Sequence, residues 1–111
     1  MVDPKRTEKI RELNDQLRTT FTGGQIVITA GIQSLDERLR AAIISAVVEF
    51  DNWTDDLDTY GEHDFVAVEV QGHKVFAKVD YYDADLRFMS PDPSDPAVTK
   101  RILTILLASE Y

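Results

Sequence analysis

The stretch Asp64–Tyr81 constrains this chain more than any other, because it alternates on both sides of a glycine turn. On the first arm Val66, Val68 and Val70 share one face, and Phe65, Ala67 and Glu69 share the other. The second arm sets Val75, Ala77 and Val79 against Lys74, Phe76 and Lys78. A period of two in β-branched residues around Gln71-Gly72 reads as a β-hairpin with a two-residue turn. Such a turn pairs Val70 with His73, Val68 with Val75 and Val66 with Ala77. On the opposite face it pairs Glu69 with Lys74, Ala67 with Phe76 and Phe65 with Lys78. Both faces agree without a register shift, as a specified hairpin requires.

A chain of 111 residues with 43% hydrophobic content is expected to build a single domain, residues 1–111, around one packed core. It has no cysteine, which excludes disulfides, thiolate zinc sites and cysteine nucleophiles. The opening Met1-Val-Asp-Pro-Lys-Arg6 leads into polar helix, and no apolar run reaches the roughly 18 residues of a membrane span. A cytoplasmic protein is expected. The net charge of −8 is unevenly placed: residues 49–95 hold 13 acidic side chains and only Lys74, Lys78 and Arg87. That segment carries −10, and each flank carries +1. A field of that sign repels nucleic-acid phosphates and attracts basic protein surfaces.

Asp3-Pro4 reads as a helix start, with Ile10, Leu13, Leu17 and Phe21 on one stripe and Gly23-Gly24 as the stop. Gln25–Ala30, β-branched and bounded by glycines, reads as a strand. Ser34 and Glu37 have capping-box spacing, opening a helix with Leu35, Leu39, Ile43, Val47 and Phe50 on its face. After the hairpin, Leu86–Met89 reads as a short fourth strand, and Ser90–Pro96 as a proline-stiffened loop. Asp95-Pro96 then repeats the helix-start signal, and Val98, Ile102, Ile105 and Leu106 follow at helical spacing. The order α-β-α-β-β-(β)-α gives an α+β fold: an antiparallel three- to four-stranded sheet with helices packed on one face.

Few templates of chemistry fit. Glu62-His63-Asp64 offers a histidine between carboxylates, as a general base needs, but strand neighbours point to opposite faces. Asp51–Glu62 has the length of a calcium loop, yet Trp53 and Asp56 occupy its third and sixth positions. Phosphate-loop, nucleophile-elbow and paired-histidine motifs are missing. No metal or other cofactor is expected. The remaining pattern is Trp53, Tyr60, Tyr81 and Tyr82 among carboxylates at the hairpin's open end, the composition of an interface. There Asp51–Glu62 and Asp80–Asp85 should converge, since the start of one arm lies beside the end of the other.

Three motifs carry a family resemblance: Tyr60-Gly-Glu-His-Asp-Phe65, Lys78-Val-Asp-Tyr-Tyr-Asp83, and Ser90-Pro-Asp-Pro-Ser-Asp-Pro96 followed by Arg101-Ile-Leu-Thr-Ile-Leu-Leu-Ala108. With Ile10-Arg-Glu-Leu-Asn14 and Glu110-Tyr111, the sequence resembles the domain of unknown function 3768 family of short bacterial proteins. That resemblance implies no catalytic residues. It implies a setting on plasmids and other mobile elements, near genes that counter host defences. Together with the charge pattern, it leads to an expected non-enzymatic inhibitor of anti-CRISPR or antirestriction type. Asp55, Asp56, Asp58, Tyr60, Glu62, Asp64, Asp80, Tyr82, Asp83 and Asp85 would dock on a basic, nucleic-acid-binding surface of a host effector complex, without touching nucleic acid or membrane. The alternative expectation is a small hydrolase or transferase using His63 with Asp64 or Asp80.

Overall fold

The computed structural model describes residues 3–111. Met1 and Val2, read above as part of a polar start, lie outside the described residues. Helix α1 spans Pro4–Thr20, with Asp3 accepting from the Lys5 amide at 3.0 Å, a cap worth about 1 kcal/mol. Ile10 and Leu17 are buried on it. Phe21, expected on the same stripe, instead ends the helix in the left-handed conformation and stays exposed. Strand β1 (Gln25–Ile28) follows, then a single turn, α2 (Ala30–Gln33). The third helix, α3 (Glu37–Glu49), starts two residues later than the Ser34 reading places it. Asp36 is the cap, accepting from Arg38 and Leu39 amides at 2.8 and 3.1 Å, while the Ser34 hydroxyl donates to the Gly31 carbonyl.

The hairpin forms as β2 (Phe65–Val70) and β3 (His73–Tyr82), in the register read from the sequence at every pair from Phe65–Lys78 to Val70–His73. Gln71 and Gly72 both have positive φ, 51° and 83°, which two-residue hairpin turns require. Leu86–Met89 is not a strand. It folds back as a loop, with one bridge between Tyr82 and Met89 and the Asp83 amide donating to the Phe88 carbonyl.

The largest departure lies at the end of the sequence. The Asp95-Pro96 signal is real, since Asp95 caps the Ala97 amide, but it yields only the turn Pro96–Val98. Lys100–Leu107 then forms strand β4, not a helix, and it enters the centre of the sheet. A strand in the middle of a sheet can carry an almost continuous apolar run, and Ile-Leu-Thr-Ile-Leu-Leu satisfies that pattern as well as a helical one. The sheet order is β1-β4-β3-β2, with β1 parallel to β4 and the other pairs antiparallel, so the sheet is mixed. Gly24 sits where β1 meets this strand; a Cβ there would lie 2.6 Å from the Arg101 carbonyl.

Helices cover one face of the sheet. Leu17, Ile32, Ile43 and Val47 close the core over Val66, Val75, Ala77, Val79, Leu103 and Ile105. On the other face Phe65 and Phe76 lie 5.1 Å apart, and Tyr111 sets its edge against both rings. Among the described residues, no helix is long and apolar enough to cross a membrane.

Candidate functional site

The open end of the hairpin is held by α1. Arg11, Asn14, Asp15 and Arg18 recur at helical spacing beside the apolar stripe, and all reach the segment between α3 and β2 or its entry. Arg11 Nε donates to the Gly61 carbonyl at 2.7 Å, and Asn14 Nδ2 to the Glu62 carbonyl at 3.0 Å. Arg18 donates to the carbonyls of Val47, Val48 and Phe50 and pairs with Asp15 at 3.0 Å.

His63 lies inside this arrangement, at φ 55°. Its ring stacks on Trp53 at 3.8 Å between centroids and 4° between planes, and Trp53 meets Phe50 edge-on. The Arg18 guanidinium stands over the Trp53 ring. Nδ1 of His63 is 2.8 Å from Asp15 Oδ1, and Nε2 is 3.5 Å from Asp58 Oδ2. The pairing a catalytic role was expected to use, His63 with Asp64 or Asp80, is not the one present. Both ring nitrogens face carboxylates of the fold and one ring face is covered, which leaves no free edge for a substrate.

A second polar network lies deeper. Asn14 is fully buried, and its Nδ2 also donates to the Tyr81 hydroxyl at 2.7 Å, which donates in turn to Glu62 Oε1 at 2.9 Å. Asn14 Oδ1 accepts from Arg101 Nε at 2.8 Å, and Arg101 reaches the Pro93 carbonyl and stands over the Tyr81 ring. Burial pushes the Tyr81 hydroxyl far above its ordinary pKa, with the Glu62 and Asp64 charges adding to it. Burial also lowers the Arg101 guanidinium.

The two acidic stretches do converge. Burial raises the pKa of Asp64, and the charges of Glu62, Asp58 and Asp80 raise it further, so these carboxylates share one electrostatic neighbourhood. Asp64, Asp80 and Tyr82 line a shallow depression of about 380 Å³ with Val79, Tyr81 and Met89. The ten residues singled out for docking divide by location. Asp58 and Glu62 turn inward, Asp58 taking the His63 amide at 2.8 Å and Glu62 the Tyr81 hydroxyl. Asp80 pairs with Lys78 at 3.1 Å, and Asp83 caps the Arg87 amide at 3.0 Å. Asp55, Asp56, Tyr60 and Asp85 are exposed.

In the loop beyond Tyr82 the sequence reading singles out Asp83 and Asp85 but takes Leu86–Met89 for a strand and misses its exposed apolar side chains. Leu86, Phe88 and Met89 are 49%, 72% and 80% exposed, next to Asp83 and Asp85. Its signal was available: Leu-Arg-Phe-Met sits between an acidic turn and a proline loop, too short and too flanked by breakers for a strand.

The fold and this end together define an α+β protein with a half-covered mixed sheet, whose His63 and half-buried Tyr81 serve closed internal networks. A family model described as a protein of unknown function, DUF3768, matches residues 28–110, and the chain belongs to that family. No curated protein and no solved structure matches it.

Proposed function

We propose that this protein acts by binding, as a stoichiometric inhibitor that docks the open end of its hairpin on a basic, nucleic-acid-binding protein surface. One observation carries the reading: three large apolar side chains, Leu86, Phe88 and Met89, project into solvent beside Asp80, Asp83 and Asp85. Apolar anchors within a charged rim are the make-up of a contact patch, and an isolated exposed cluster of this kind does nothing for the fold. The acidic rim selects a basic partner and accelerates encounter, and it does so less as salt rises. Asp55, Asp56 and Tyr60 extend the same field from the preceding loop, whereas Asp58 and Glu62 serve the interior. The family resemblance supplies the setting, in which the partner is a CRISPR or restriction effector of the host cell.

The test is a protection assay in cells carrying such a system, with two variant sets. Asp80→Lys, Asp83→Lys and Asp85→Lys together reverse the rim, and Phe88→Ser with Met89→Ser removes the anchors. Phe88→Ser and Met89→Ser are exposed changes costing within about 0.5 kcal/mol. The reversals give up the Lys78 pair and the Arg87 cap, about 1–2 kcal/mol together, so circular dichroism should still show the native fold while protection is lost in both sets. Full protection by the folded combined variant would refute the docking face. Failure of the wild type to protect against any such system would remove the defence setting.

A further inference from the structure

β2 ends the sheet on one side, and its outer edge is unpaired. The Val79 amide donates to the Asp64 carbonyl at 2.9 Å. Because bonded pairs alternate along an antiparallel ladder, Val66, Val68 and Val70 turn their backbone groups toward β3. Phe65, Ala67 and Glu69 therefore point their N–H and C=O groups outward, and among the described residues no other backbone group bonds to them. The opposite edge is protected: β1 has 4 residues, and Gln33 Nε2 donates to the Ile28 carbonyl at 2.6 Å. Edge strands exposed without a partner are normally blunted by charged side chains, proline or a bulge. Phe-Val-Ala-Val-Glu-Val has no proline, lysine or bulge, and its one charge, Glu69, stands at the end of the edge, away from Ala67.

We propose that this edge pairs with the same edge of a second copy, antiparallel and two-fold symmetric about Ala67, joining two sheets into one. Three features favour a copy of this chain over a foreign strand. The outward residues are symmetric about Ala67, so Phe65 faces the second copy's Glu69 and each exchanges both of its bonds. The residue on the axis has a short side chain, and no like charges meet there. Antiparallel pairing also separates the acidic ends: Asp64 lies across from the second copy's Val70, beside its His73-Lys74 end. The two Asp64 residues stand about 20 Å apart along the strands at 3.4 Å per residue, well beyond the roughly 8 Å screening length of physiological salt. The net charge of −8 on each copy opposes association at a distance, so this dimer should tighten with added salt, the reverse of the docking proposed above.

The chain has no cysteine, so a single introduced one reports its own neighbourhood. Residues across a bonded antiparallel pair have Cα atoms about 5.5 Å apart, within disulfide reach. Oxidised Ala67→Cys should therefore form a covalent dimer. Glu69→Cys, about 14 Å from its mate along the strands, should not. Sedimentation velocity should give a dimer for the wild type and a monomer for Ala67→Pro, whose missing N–H is one the β2–β3 ladder does not use; Ala67→Lys is the substitute if the proline variant fails to fold. A monomeric wild type, a dimer that survives Ala67→Lys, or equal cross-linking at both cysteine positions would overturn the inference.

Discussion

Replacing Asn14 with alanine should be among the most damaging single changes available in this protein. Its amide is fully buried and serves three partners at once: the Tyr81 hydroxyl, the Glu62 carbonyl and Arg101 Nε, at 2.7, 3.0 and 2.8 Å. Losing the acceptor leaves a charged guanidinium, only 2% exposed, short of one partner, a loss of about 1–3 kcal/mol. The two bonds from Nδ2 are each worth roughly 0.5–1.5 kcal/mol. The total of about 2–6 kcal/mol is a large fraction of the roughly 5–15 kcal/mol that holds a domain of this size. The melting temperature should fall by about 8–24 °C. Tyr81→Phe removes only the hydroxyl and should cost about 1–2 kcal/mol. Urea unfolding followed by Trp53 emission and far-ultraviolet circular dichroism gives both numbers, and the double variant gives their coupling, expected near 1 kcal/mol because the groups share a bond. An Asn14→Ala loss under about 1 kcal/mol, or strict additivity with Tyr81→Phe, would refute the view that this network fastens the hairpin's open end to α1.

The same hydroxyl gives a pH signature. A tyrosine whose folded pKa is raised contributes stability that is full below its ordinary value near 10 and declines as pH rises toward the folded value. Stability measured above about pH 10 should therefore fall more steeply in the wild type than in Tyr81→Phe, and parallel curves would contradict it. Glu110 works in the opposite direction: its carboxylate accepts from the Thr29 hydroxyl at 2.7 Å, the Leu107 amide at 2.8 Å and the Gly31 amide at 3.0 Å, which hold its pKa below the usual range. Its contribution is present above the ordinary carboxyl value and is lost as pH falls through the folded one, so Glu110→Gln should flatten the acid limb of the stability curve. Gly24→Ala forces a methyl to within 2.6 Å of the Arg101 carbonyl where β1 joins β4. It should cost about 1–3 kcal/mol in thermal unfolding. His63→Ala removes the ring stacked on Trp53 and should cost about 1–3 kcal/mol. Its emission should shift to the red, and an unchanged spectrum would show that the stack does not shield the indole.

The hairpin was legible in full because two independent signals coincide there. Alternation fixes which residues share a face, and Gln71-Gly72 fixes the offset between the arms, so no second register satisfies both. β4 was not legible, for a reason rooted in its position. Leu103 and Ile105 are buried toward the helices and Leu106 toward the opposite face, so the polar half of the alternation vanishes. What remains is an apolar run that a buried helix would share, and the Asp95-Pro96 cap tips that balance toward helix although it launches only one turn. The parallel β1–β4 pairing could not be read without first knowing that β4 is a strand.

At the site, the sequence locates charge but not its direction. Asp58 and Asp55 are the same residue type in the same loop, yet Asp55 is exposed while Asp58 receives the His63 amide. The difference is decided by backbone geometry at Gly61 and His63, both at positive φ. That geometry depends in turn on Arg11, Asn14 and Asp15, about fifty residues earlier in the chain. The polar stripe of α1 was visible in the sequence as a spacing, but an amphipathic helix always has a polar side. Only its partners distinguish a stripe that meets solvent from one that fastens a loop. Once Asp58 and Glu62 are recognised as fastenings, Asp85 remains exposed beside the half-buried Asp80 and Asp83. These adjoin Leu86, Phe88 and Met89, whose exposure no packing need explains. The docking reading therefore rests on a different part of the open end than composition alone selected.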